Sequence, residues 1–344
     1  MSGTSPRILL TGGAGFIGSH TAEALLRRRA QLIIVDNLDD SYLPERKKAN
    51  LEEIRLAGKY EFYHLDICEM EKLRKVMELS RPDMIIHLAA LVGVRPSIKQ
   101  PELYERVNVG GTLNLLELAR DFKIKKFLFG SSSSVYGDTT QVPFCEDQVN
   151  LKPISPYAAT KLSGEMLCRT YARFHRLSII ALRFFSVYGP RQRPDLAIHK
   201  FTALLEAGRQ LPIFGDGTSG RDYTYVDDIV SGILAALDCE LQPYSGGGSY
   251  EVFNLGSSCP VRLVELVKML ERVTGRTATL KRMDVQAGDV GLTWADLSKS
   301  SRILGYAPAI RLEEGLRRFI AWYSRSSRIY RSHIGEVPMA SVER

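Results

Sequence analysis

Thr11-Gly12-Gly13-Ala14-Gly15-Phe16-Ile17-Gly18-Ser19-His20 is the stretch of sequence that decides the fold. It follows an apolar run of strand length, Arg7 to Leu10, and leads into an amphipathic stretch with helical periodicity, Thr21 to Arg28. Glycines between a strand and a helix allow a tight turn and let the backbone approach a pyrophosphate, which the first amide groups of the helix bind. The stretch therefore predicts a dinucleotide-binding loop.

A carboxylate follows this loop at the distance that a dinucleotide requires. A second apolar run, Leu32 to Val35, ends in Asp36-Asn37, about twenty residues after the glycines. A carboxylate there binds the hydroxyls of the adenosine ribose and repels a 2′-phosphate, which favours NAD over NADP. The alternative is that Asp36 is only a turn residue at the end of a strand.

The apolar runs that follow predict the fold class. Met84 to His87, Lys126 to Phe129 and Ser178 to Leu182 have the length of strands and are separated by longer amphipathic stretches. Runs that are apolar on both faces, such as Ile33-Ile34-Val35, indicate strands covered by helices on both sides. We therefore predict an α/β protein with a Rossmann-like, doubly wound parallel sheet.

The alternation of strand-length apolar runs with amphipathic stretches ends at about residue 185. Turn-rich segments at Tyr188 to Pro194 and Phe214 to Gly220 and a Gly/Ser linker at Tyr244 to Ser249 precede a helical stretch, Val261 to Val273. We expect this part to form a smaller, partly interleaved C-terminal substrate-binding domain. The predicted division is a dinucleotide-binding domain at 1–185 and 221–256, a substrate-binding domain at 186–220 and 257–330, and a tail at 331–344.

Composition excludes several classes of protein. With 344 residues, 44% hydrophobic and 25% charged, the chain resembles ordinary globular proteins. The sequence has no apolar run of about eighteen residues and no leader pattern, so we expect no membrane span and a cytoplasmic location. Five cysteines without ligand spacing predict reduced thiols and no metal. The net charge is +7, and the basic residues are interspersed with acidic ones. This pattern favours an anionic substrate over a nucleic acid.

Two hydroxyl-bearing motifs predict a catalytic centre. Tyr157 and Lys161 lie four residues apart in a helical stretch and project from one face. A cation near a phenol lowers its pKa from about 10, which makes the tyrosine a usable general base. The run Ser131 to Ser134 follows a predicted strand and so faces the ligand crevice. Alone, each motif fits a helix edge or a loop; together they predict acid–base chemistry.

Motifs spread over residues 7 to 325 resemble the nucleotide-sugar epimerases of the extended short-chain dehydrogenase/reductase family, and among them most of all the UDP-glucuronate 4-epimerases. The motifs are TGGAGFIGSH, VDN, HLAA, SSSSVYGD, YAATK, RFFSVYGPRQRPD, FGDGTSGRDYTYVDD and WADLSKSSRILGY. The resemblance implies a catalytic triad of Ser132, Tyr157 and Lys161, in which the serine lies 25 positions before the tyrosine. It also implies a tightly bound NAD that takes hydride from sugar C4 and returns it to the opposite face after the ring has turned.

The same resemblance implies a set of cofactor-binding residues. Asp66 and Ile67 would flank the adenine, and Asn108 would lie near the point where the strand order reverses. The full set is Gly12, Gly15, Phe16, Ile17, Gly18, Asp36, Asn37, Asp66, Ile67, Leu88, Ala89, Ala90, Asn108, Tyr157, Lys161 and Phe184.

The residues that follow Ser132 bear on the type of reaction. Dehydratases and the decarboxylase of this family carry an acid beside the catalytic hydroxyl, whereas this chain has Ser133 and Ser134 there. The resemblance therefore implies simple epimerisation. The alternatives are a 4-epimerase of UDP-glucose or UDP-N-acetylglucosamine, a C4 oxidoreductase or decarboxylase, and a non-catalytic NAD-binding regulator.

The segment Arg183 to Asp195 resembles the one by which glucuronate epimerases hold the C6 carboxylate of the sugar. Arg193 offers a guanidinium fork, and Ser186 offers a hydroxyl where the family usually has threonine. Held by these groups together with Ser133 and Ser134, the carboxylate of a 4-keto uronic acid would be kept out of the alignment that permits loss of carbon dioxide.

Further residues are implied for the nucleotide and for assembly. Arg95 is a candidate near the sugar, with a surface ion pair as the alternative. Arg221 would bind the diphosphate, Phe214 the uracil and Asp289 the uridine ribose; without the resemblance they would be taken for a salt bridge, a core aromatic and a turn acid. The amphipathic helices at Thr112 to Phe122 and Tyr157 to Phe174 would pair with a second copy in a homodimer.

Overall fold

The computed structural model of the protein describes residues 5–284, 290–326 and 328–331. Apart from Arg331, the predicted tail at 331–344 lies outside the described residues. Among those that are described, no helix combines the length and the apolar character needed to cross a membrane.

Twelve strands and thirteen α-helices follow one another along the described chain. The strands are β1 (Arg7–Thr11), β2 (Gln31–Asp36), β3 (Glu61–His64), β4 (Met84–His87), β5 (Lys126–Ser132), β6 (Ser178–Phe184), β7 (Ser186–Tyr188), β8 (Leu211–Phe214), β9 (Gly220–Tyr225), β10 (Ser249–Leu255), β11 (Pro260–Arg262) and β12 (Leu280–Met283). The helices are α1 (Phe16–Arg27), α2 (Pro44–Ala57), α3 (Met70–Ser80), α4 (Val94–Lys99), α5 (Pro101–Glu105), α6 (Gly111–Asp121), α7 (Pro156–His175), α8 (Ala197–Glu206), α9 (Val226–Asp238), α10 (Leu263–Thr274), α11 (Ser298–Leu304), α12 (Leu312–Arg325) and α13 (Arg328–Arg331). A π-helical turn spans Arg106–Gly110 and a 3-10 turn spans Ser133–Tyr136.

A parallel sheet of seven strands in the order β10-β6-β5-β4-β1-β2-β3 forms the centre of the protein. The predicted Rossmann-like sheet is therefore confirmed, and each of the five predicted strands is present. The order reverses between β1 and β4, so the chain leaves these two neighbouring strands in opposite directions and opens a crevice at their carboxyl ends.

Helices cover both faces of this sheet because its strands are apolar on both faces. Leu10 and Ile34 pack into the core that holds α1, α2 and α9, whereas Leu9 and Ile33 pack into the core that holds α3, α6 and α7. Alternate residues of a strand point to opposite faces, so each strand serves both cores. The doubly wound arrangement that the sequence predicts follows from this.

The later part of the chain builds two small sheets beside the large one. One has the order β11-β9-β7 and the other pairs β12 with β8. Helices α8, α10 and α12 pack near them, and the predicted helix Val261 to Val273 is present as α10 after the short strand β11. Strand β10 nevertheless returns to the edge of the large sheet. The division into two domains at the stated boundaries stays a prediction.

Candidate active site

A cavity of about 720 Å³ opens at the crevice between β1 and β4. Its wall begins at the glycine loop after β1, passes the ends of β2, β4 and β5 and the start of α7, and ends among residues of β8 and β9. Of the site residues predicted from the sequence, all but two line this cavity. The two exceptions are Asn108, which lies behind the wall, and Asp289, which lies outside the described residues.

The glycine loop is packed so closely that two of its positions admit no side chain. A Cβ atom at Gly18 would lie 2.0 Å from the carbonyl oxygen of Gly12, and one at Gly12, where φ is +71°, would lie 2.7 Å from the amide nitrogen of Ala89. Gly15 precedes α1 without a side-chain cap. The first amides of α1 therefore face the cavity as an anion site, and the residues present fit a dinucleotide pyrophosphate.

Carboxylates stand at the far end of the loop, where the ribose of a dinucleotide would lie. Asp36 accepts hydrogen bonds from the amides of Ala14 at 3.0 Å and Leu38 at 2.9 Å. Two accepted bonds leave lone pairs of this carboxylate for ribose hydroxyls. Burial raises the pKa of Asp36, while the charge of Lys47 and both amides act in the opposite direction. Asn37 donates to Asp66 at 3.1 Å, which closes this end of the cavity.

Asn108 is buried in the π-helical turn and faces Leu91 instead of the cavity. Its side chain accepts from the amide of Leu91 at 2.8 Å and donates to the Leu91 carbonyl at 3.0 Å and to the hydroxyl of Thr160 at 3.1 Å. It therefore fixes the loop after β4 against α7. The predicted direct role of Asn108 in cofactor binding is not supported, because its polar atoms are used within the protein.

A buried histidine supports the same loop. His87 lies between the hydroxyls of Thr11, at 2.8 Å, and Thr112, at 2.9 Å. Since the Thr112 hydroxyl donates to the carbonyl of Asn108, it accepts from His87, and the other ring nitrogen accepts from Thr11. Burial lowers the pKa of His87 to about 3, which agrees with this neutral form. His87 is therefore a structural part of the HLAA motif.

The structure brings Ser132, Tyr157 and Lys161 together on one wall of the cavity. Ser132 is the last residue of β5, and Tyr157 lies in the first turn of α7, where the Ser155 hydroxyl caps the helix by accepting from the amide of Ala158 at 3.1 Å. The ammonium group of Lys161 donates to the carbonyl of Gly130 at 2.7 Å. Tyr157 and Lys161 are both buried, with 7% and 5% of their surface exposed.

The pKa of Tyr157 differs from the sequence-based prediction. Burial raises the pKa of the phenol, while a hydrogen bond with Ser132 and the charge of Arg193 act to lower it. Burial also lowers the pKa of Lys161 to about 8, against the opposing influence of Cys168 and Glu165. The predicted lowering of the phenol pKa by Lys161 is therefore not produced by the residues of the protein alone, because burial disfavours the charged phenolate and this effect dominates.

A buried ion pair that sequence reasoning missed joins α7, the helix that carries Tyr157 and Lys161, to the central sheet. Glu165 and Arg183, 0% and 3% exposed, form a bidentate pair at 2.9 and 2.7 Å. Ser131 donates to the same carboxylate at 2.5 Å. The pair links α7 to β5 and β6, one turn beyond Lys161. In the sequence, only Glu165 four residues after Lys161 points to this pair. That spacing is equally typical of an exposed ion pair on the surface of a helix.

Arg193 reaches the cavity, but Asp195 already occupies one edge of its guanidinium group. Nε and Nη2 of Arg193 donate to Asp195 at 3.0 and 2.8 Å, and Nη1 and Nη2 donate to the carbonyl of Val92, both at 3.3 Å. The Arg193 side chain is only 15% exposed. All three guanidinium nitrogen atoms of Arg193 therefore have partners within the protein. Its role as a fork for a substrate carboxylate stays a prediction, with Asp195 as an internal competitor.

Basic side chains gather at the end of the cavity that is remote from the glycine loop. Arg95 stacks on the ring of Phe214 at 5.5 Å, which joins α4 to β8 across the cavity mouth. Arg221 and Lys200 also line the cavity. Burial and the charge of Arg95 lower the pKa of Lys200. The predicted residues Arg95, Phe214 and Arg221 thus share one end of the cavity, whereas Lys200 was missed because α8 looks like an ordinary amphipathic helix.

Hydroxyl groups also line the cavity. Ser133, Ser134 and Ser186 all face the cavity. The hydroxyl of Ser134 donates to that of Ser132 at 2.9 Å. Thr293 also lines the cavity, and its hydroxyl accepts from the amide of Asp222 at 3.1 Å. These groups can donate hydrogen bonds to an oxygen-rich ligand.

A family model described as GDP-mannose 4,6-dehydratase matches residues 9–319. The chain therefore belongs to this family of extended short-chain dehydrogenase/reductase enzymes.

Similar proteins include epimerases of UDP-sugars. UDP-glucuronate 4-epimerase of Thermodesulfobacterium geofontis is 40% identical over 94% of this chain and 98% of its own length. The crystal structure of UDP-glucuronic acid 4-epimerase from Bacillus cereus, in complex with UDP-glucuronic acid and NAD, is 38% identical with a TM-score of 0.85, and the match covers 92% of this chain and 98% of that one. UDP-glucose 4-epimerase of Thermotoga maritima, with UDP-glucose, is 34% identical with a TM-score of 0.84, at coverages of 92% and 98%.

Proposed function

We propose that the protein interconverts UDP-glucuronate and UDP-galacturonate by NAD-dependent epimerisation at C4 of the sugar. The observation that carries this proposal is the position of Arg193, which lines the same cavity as Ser132, Tyr157 and Lys161. Its charge is close enough to act on the phenol of Tyr157. In a pyranose the C6 carboxylate lies near C4, so a base at C4 and a cation at C6 must be neighbours.

The similarity to the enzymes of Thermodesulfobacterium geofontis and Bacillus cereus supports this substrate. A second candidate is the 4-epimerisation of a neutral sugar such as UDP-glucose. It is favoured by the pairing of Arg193 with Asp195, which neutralises part of the cation, and by the similarity to the Thermotoga maritima enzyme.

NAD would lie along the glycine loop, with Gly12, Gly15, Phe16, Ile17 and Gly18 at its pyrophosphate. The ribose and adenine would meet Asp36, Asn37, Asp66 and Ile67, and the nicotinamide half would meet Leu88, Ala89, Ala90 and Phe184. Bound there, NAD supplies reversible hydride acceptance at the sugar carbon.

Tyr157 would hold and return the proton of the C4 hydroxyl, directly or through Ser132, which lines the same cavity. Because burial alone raises the pKa of Tyr157, the phenolate needs more positive charge than the protein by itself provides. Arg193 supplies part of it, and the charge of a bound nicotinamide ring would add to it. Glu165 and Arg183 would act as positioning residues by fixing α7 against β5 and β6.

Arg193, Ser133, Ser134 and Ser186 would hold the C6 carboxylate. A 4-keto uronic acid loses carbon dioxide when its carboxylate bond stands perpendicular to the carbonyl plane. Charge-assisted hydrogen bonds from one arginine and three hydroxyls restrict that rotation. The hydroxyls at 133 and 134 supply no general acid for a further step, which supports epimerisation over dehydration.

Arg221 and Lys200 would bind the diphosphate, and Phe214 would contact the uracil. Arg95, which the sequence predicts near the sugar, stacks on Phe214 and would add its charge at the diphosphate instead. The proposed ribose contact of Asp289 falls outside the described residues. With the nucleotide anchored at this basic end, the sugar ring can turn about the diphosphate linkage and present its other face to the same residues.

The decisive experiment incubates the purified protein with UDP-glucuronate and without added NAD, and follows the products by anion-exchange chromatography with mass detection. We expect an isomer of identical mass to accumulate to a constant ratio. That result supports C4 epimerisation, carboxylate recognition and a retained cofactor together.

Parallel incubations separate the alternatives. A product lighter by carbon dioxide would replace the proposal with decarboxylation. Turnover of UDP-glucose or UDP-N-acetylglucosamine, with UDP-glucuronate left intact, would assign the neutral substrate and contradict the proposed role of Arg193. A protein that consumes free NAD in proportion to product would be a C4 oxidoreductase.

We also propose a homodimer formed through α6 and α7. These helices pack against each other and carry the exposed apolar side chains of Leu113, Met166 and Phe174. Sedimentation velocity should give twice the mass of the chain, and Met166→Asp should shift the protein to the monomer because a carboxylate would be buried in the interface. A wild-type protein that sediments as a monomer at micromolar concentration would contradict this assembly.

We propose a cytoplasmic location. All five cysteines are free thiols, as is usual in a reducing compartment. Cell fractionation with an antibody to the protein tests this location, and recovery in an extracellular fraction would contradict it.

A further inference from the structure

Helix α13 is bound to helix α2 by buried hydrogen bonds. The guanidinium group of Arg46, which is 3% exposed, donates to the carbonyl oxygens of Ile329 at 2.9 Å and Tyr330 at 2.8 Å. The ring of Tyr330 stacks edge to face on Trp322 at 5.1 Å and is 7% exposed. These bonds therefore hold helix α13 at a defined position on α2.

The side chain of Tyr330 is connected to the glycine loop through Asn50. Its hydroxyl donates to the side-chain oxygen of Asn50 at 2.8 Å. The amide nitrogen of Asn50 in turn donates to the backbone carbonyl of Ala14 at 2.8 Å. Asn50 is 1% exposed and Ala14 is 0% exposed, so water does not compete for these two bonds.

In the glycine loop, both the backbone amide and the backbone carbonyl of Ala14 are held by side chains. Its amide donates to Asp36 at 3.0 Å, and its carbonyl accepts from Asn50. The bond from Asn50 sets the plane of the peptide between Ala14 and Gly15, which directly precedes the first amides of α1. Those amides bind a pyrophosphate only when they converge on one point.

From these contacts we infer that Tyr330, acting through Asn50, positions the pyrophosphate loop and so determines how tightly the protein holds its dinucleotide. Tyr330 is a positioning residue, because two hydrogen bonds separate it from the loop that it orients. It lies beyond residue 319, the last residue that the family model matches. The inference is about cofactor retention and holds whichever sugar the enzyme acts on.

The first test measures the rate at which bound NAD exchanges with isotopically labelled NAD. We expect Tyr330→Phe to speed exchange about two- to tenfold, since one neutral buried hydrogen bond is lost and Asn50 keeps an unsatisfied oxygen. The matched control is Tyr60→Phe, which removes a tyrosine hydroxyl bonded to the carbonyl of Leu51 on the same helix at 2.9 Å. Equal exchange rates in Tyr330→Phe and the wild type, or an equal increase in the control, would overturn the inference.

A second variant tests the route through Asn50. Asn50→Asp keeps an acceptor for Tyr330 but has no N–H group to donate to Ala14. We expect it to speed exchange at least as much as Tyr330→Phe does, and the double variant to exchange no faster than Asn50→Asp alone. Additive effects would show that Tyr330 acts by another route and would overturn the inference.

Two shortened chains separate α13 from the residues after it. A chain that ends at Arg331 retains Tyr330 and should exchange NAD at the wild-type rate. A chain that ends at Ser326 lacks α13 and should exchange NAD at least as fast as Tyr330→Phe. If both shortened chains lose NAD equally, the residues after Arg331 govern retention and the assignment to Tyr330 is wrong.

Discussion

Tyr157→Phe is expected to lower kcat for the 4-epimerisation of UDP-glucuronate by about 10²- to 10⁴-fold, because the variant has no group to take the proton of the C4 hydroxyl. The ring stays in its buried site on α7 and its packing is unchanged, so bound NAD and the melting temperature should stay close to those of the wild type. Initial rates measured by anion-exchange chromatography, with NAD content determined on the same preparation, test this expectation.

Tyr104→Phe is the matched control for this substitution. The ring of Tyr104 stacks edge to face on Tyr157 at 6.4 Å, and its hydroxyl donates to the carbonyl of Val92 at 3.1 Å. The control removes a phenol oxygen next to the triad that takes no part in the proposed proton transfer, so its kcat should stay within a fewfold of the wild type. A Tyr157→Phe protein that kept more than a tenth of the wild-type kcat would show that another group is the base.

Arg193→Ala is expected to raise KM for UDP-glucuronate about 10- to 100-fold, since a charge-assisted carboxylate contact is lost. We also expect a decarboxylated product that the wild type does not release, because the C6 carboxylate regains free rotation in the keto form. The ratio of decarboxylated to isomerised product, measured by mass detection, reports this directly and is independent of enzyme concentration.

In Arg193→Ala, the carboxylate of Asp195 loses its partner and remains in the cavity, where it would repel the carboxylate of the substrate. The double variant Arg193→Ala/Asp195→Asn removes this repulsion and should recover part of the lost affinity while keeping the decarboxylated product. Asp195→Asn alone should bind UDP-glucuronate more tightly, because the internal competitor for Arg193 is lost. If Arg193→Ala discriminates between UDP-glucuronate and UDP-glucose as the wild type does, the arginine does not recognise the carboxylate.

Much of the fold could be predicted because its signals are local. The strands β1, β2, β4, β5 and β6 are short apolar runs with turn residues at their ends, and each was predicted to within a few residues. Strand β3 has the sequence Glu-Phe-Tyr-His and is only partly buried, so it lacks an apolar run. Strand β10 follows a Gly/Ser linker in a region of weak periodicity, and only tertiary pairing with β6 reveals it.

The candidate site was predictable where it depends on sequence spacing and was not where it depends on packing. The positions of Gly12, Gly18, Tyr157 and Lys161 follow from the order of strand, loop and helix. The pairing of Arg193 with Asp195 joins residues two apart in a loop, and the polar partners of the Asn108 side chain, Leu91 and Thr160, come from two separate segments. Neither arrangement has a sequence signature. The desolvation that raises the pKa of Tyr157 is likewise a property of the closed fold.

The place of β10 in the sheet has a consequence for how the chain is made. Strand β6 ends at Phe184, which lines the cavity, and its partner β10 begins only at Ser249. During synthesis the ribosome must therefore produce β7, β8, β9 and α9 while the outer edge of β6 has unpaired amides and carbonyls. An unpaired edge of this kind attracts other strands. The nascent protein thus depends on rapid completion of its last large-sheet strand to avoid aggregation.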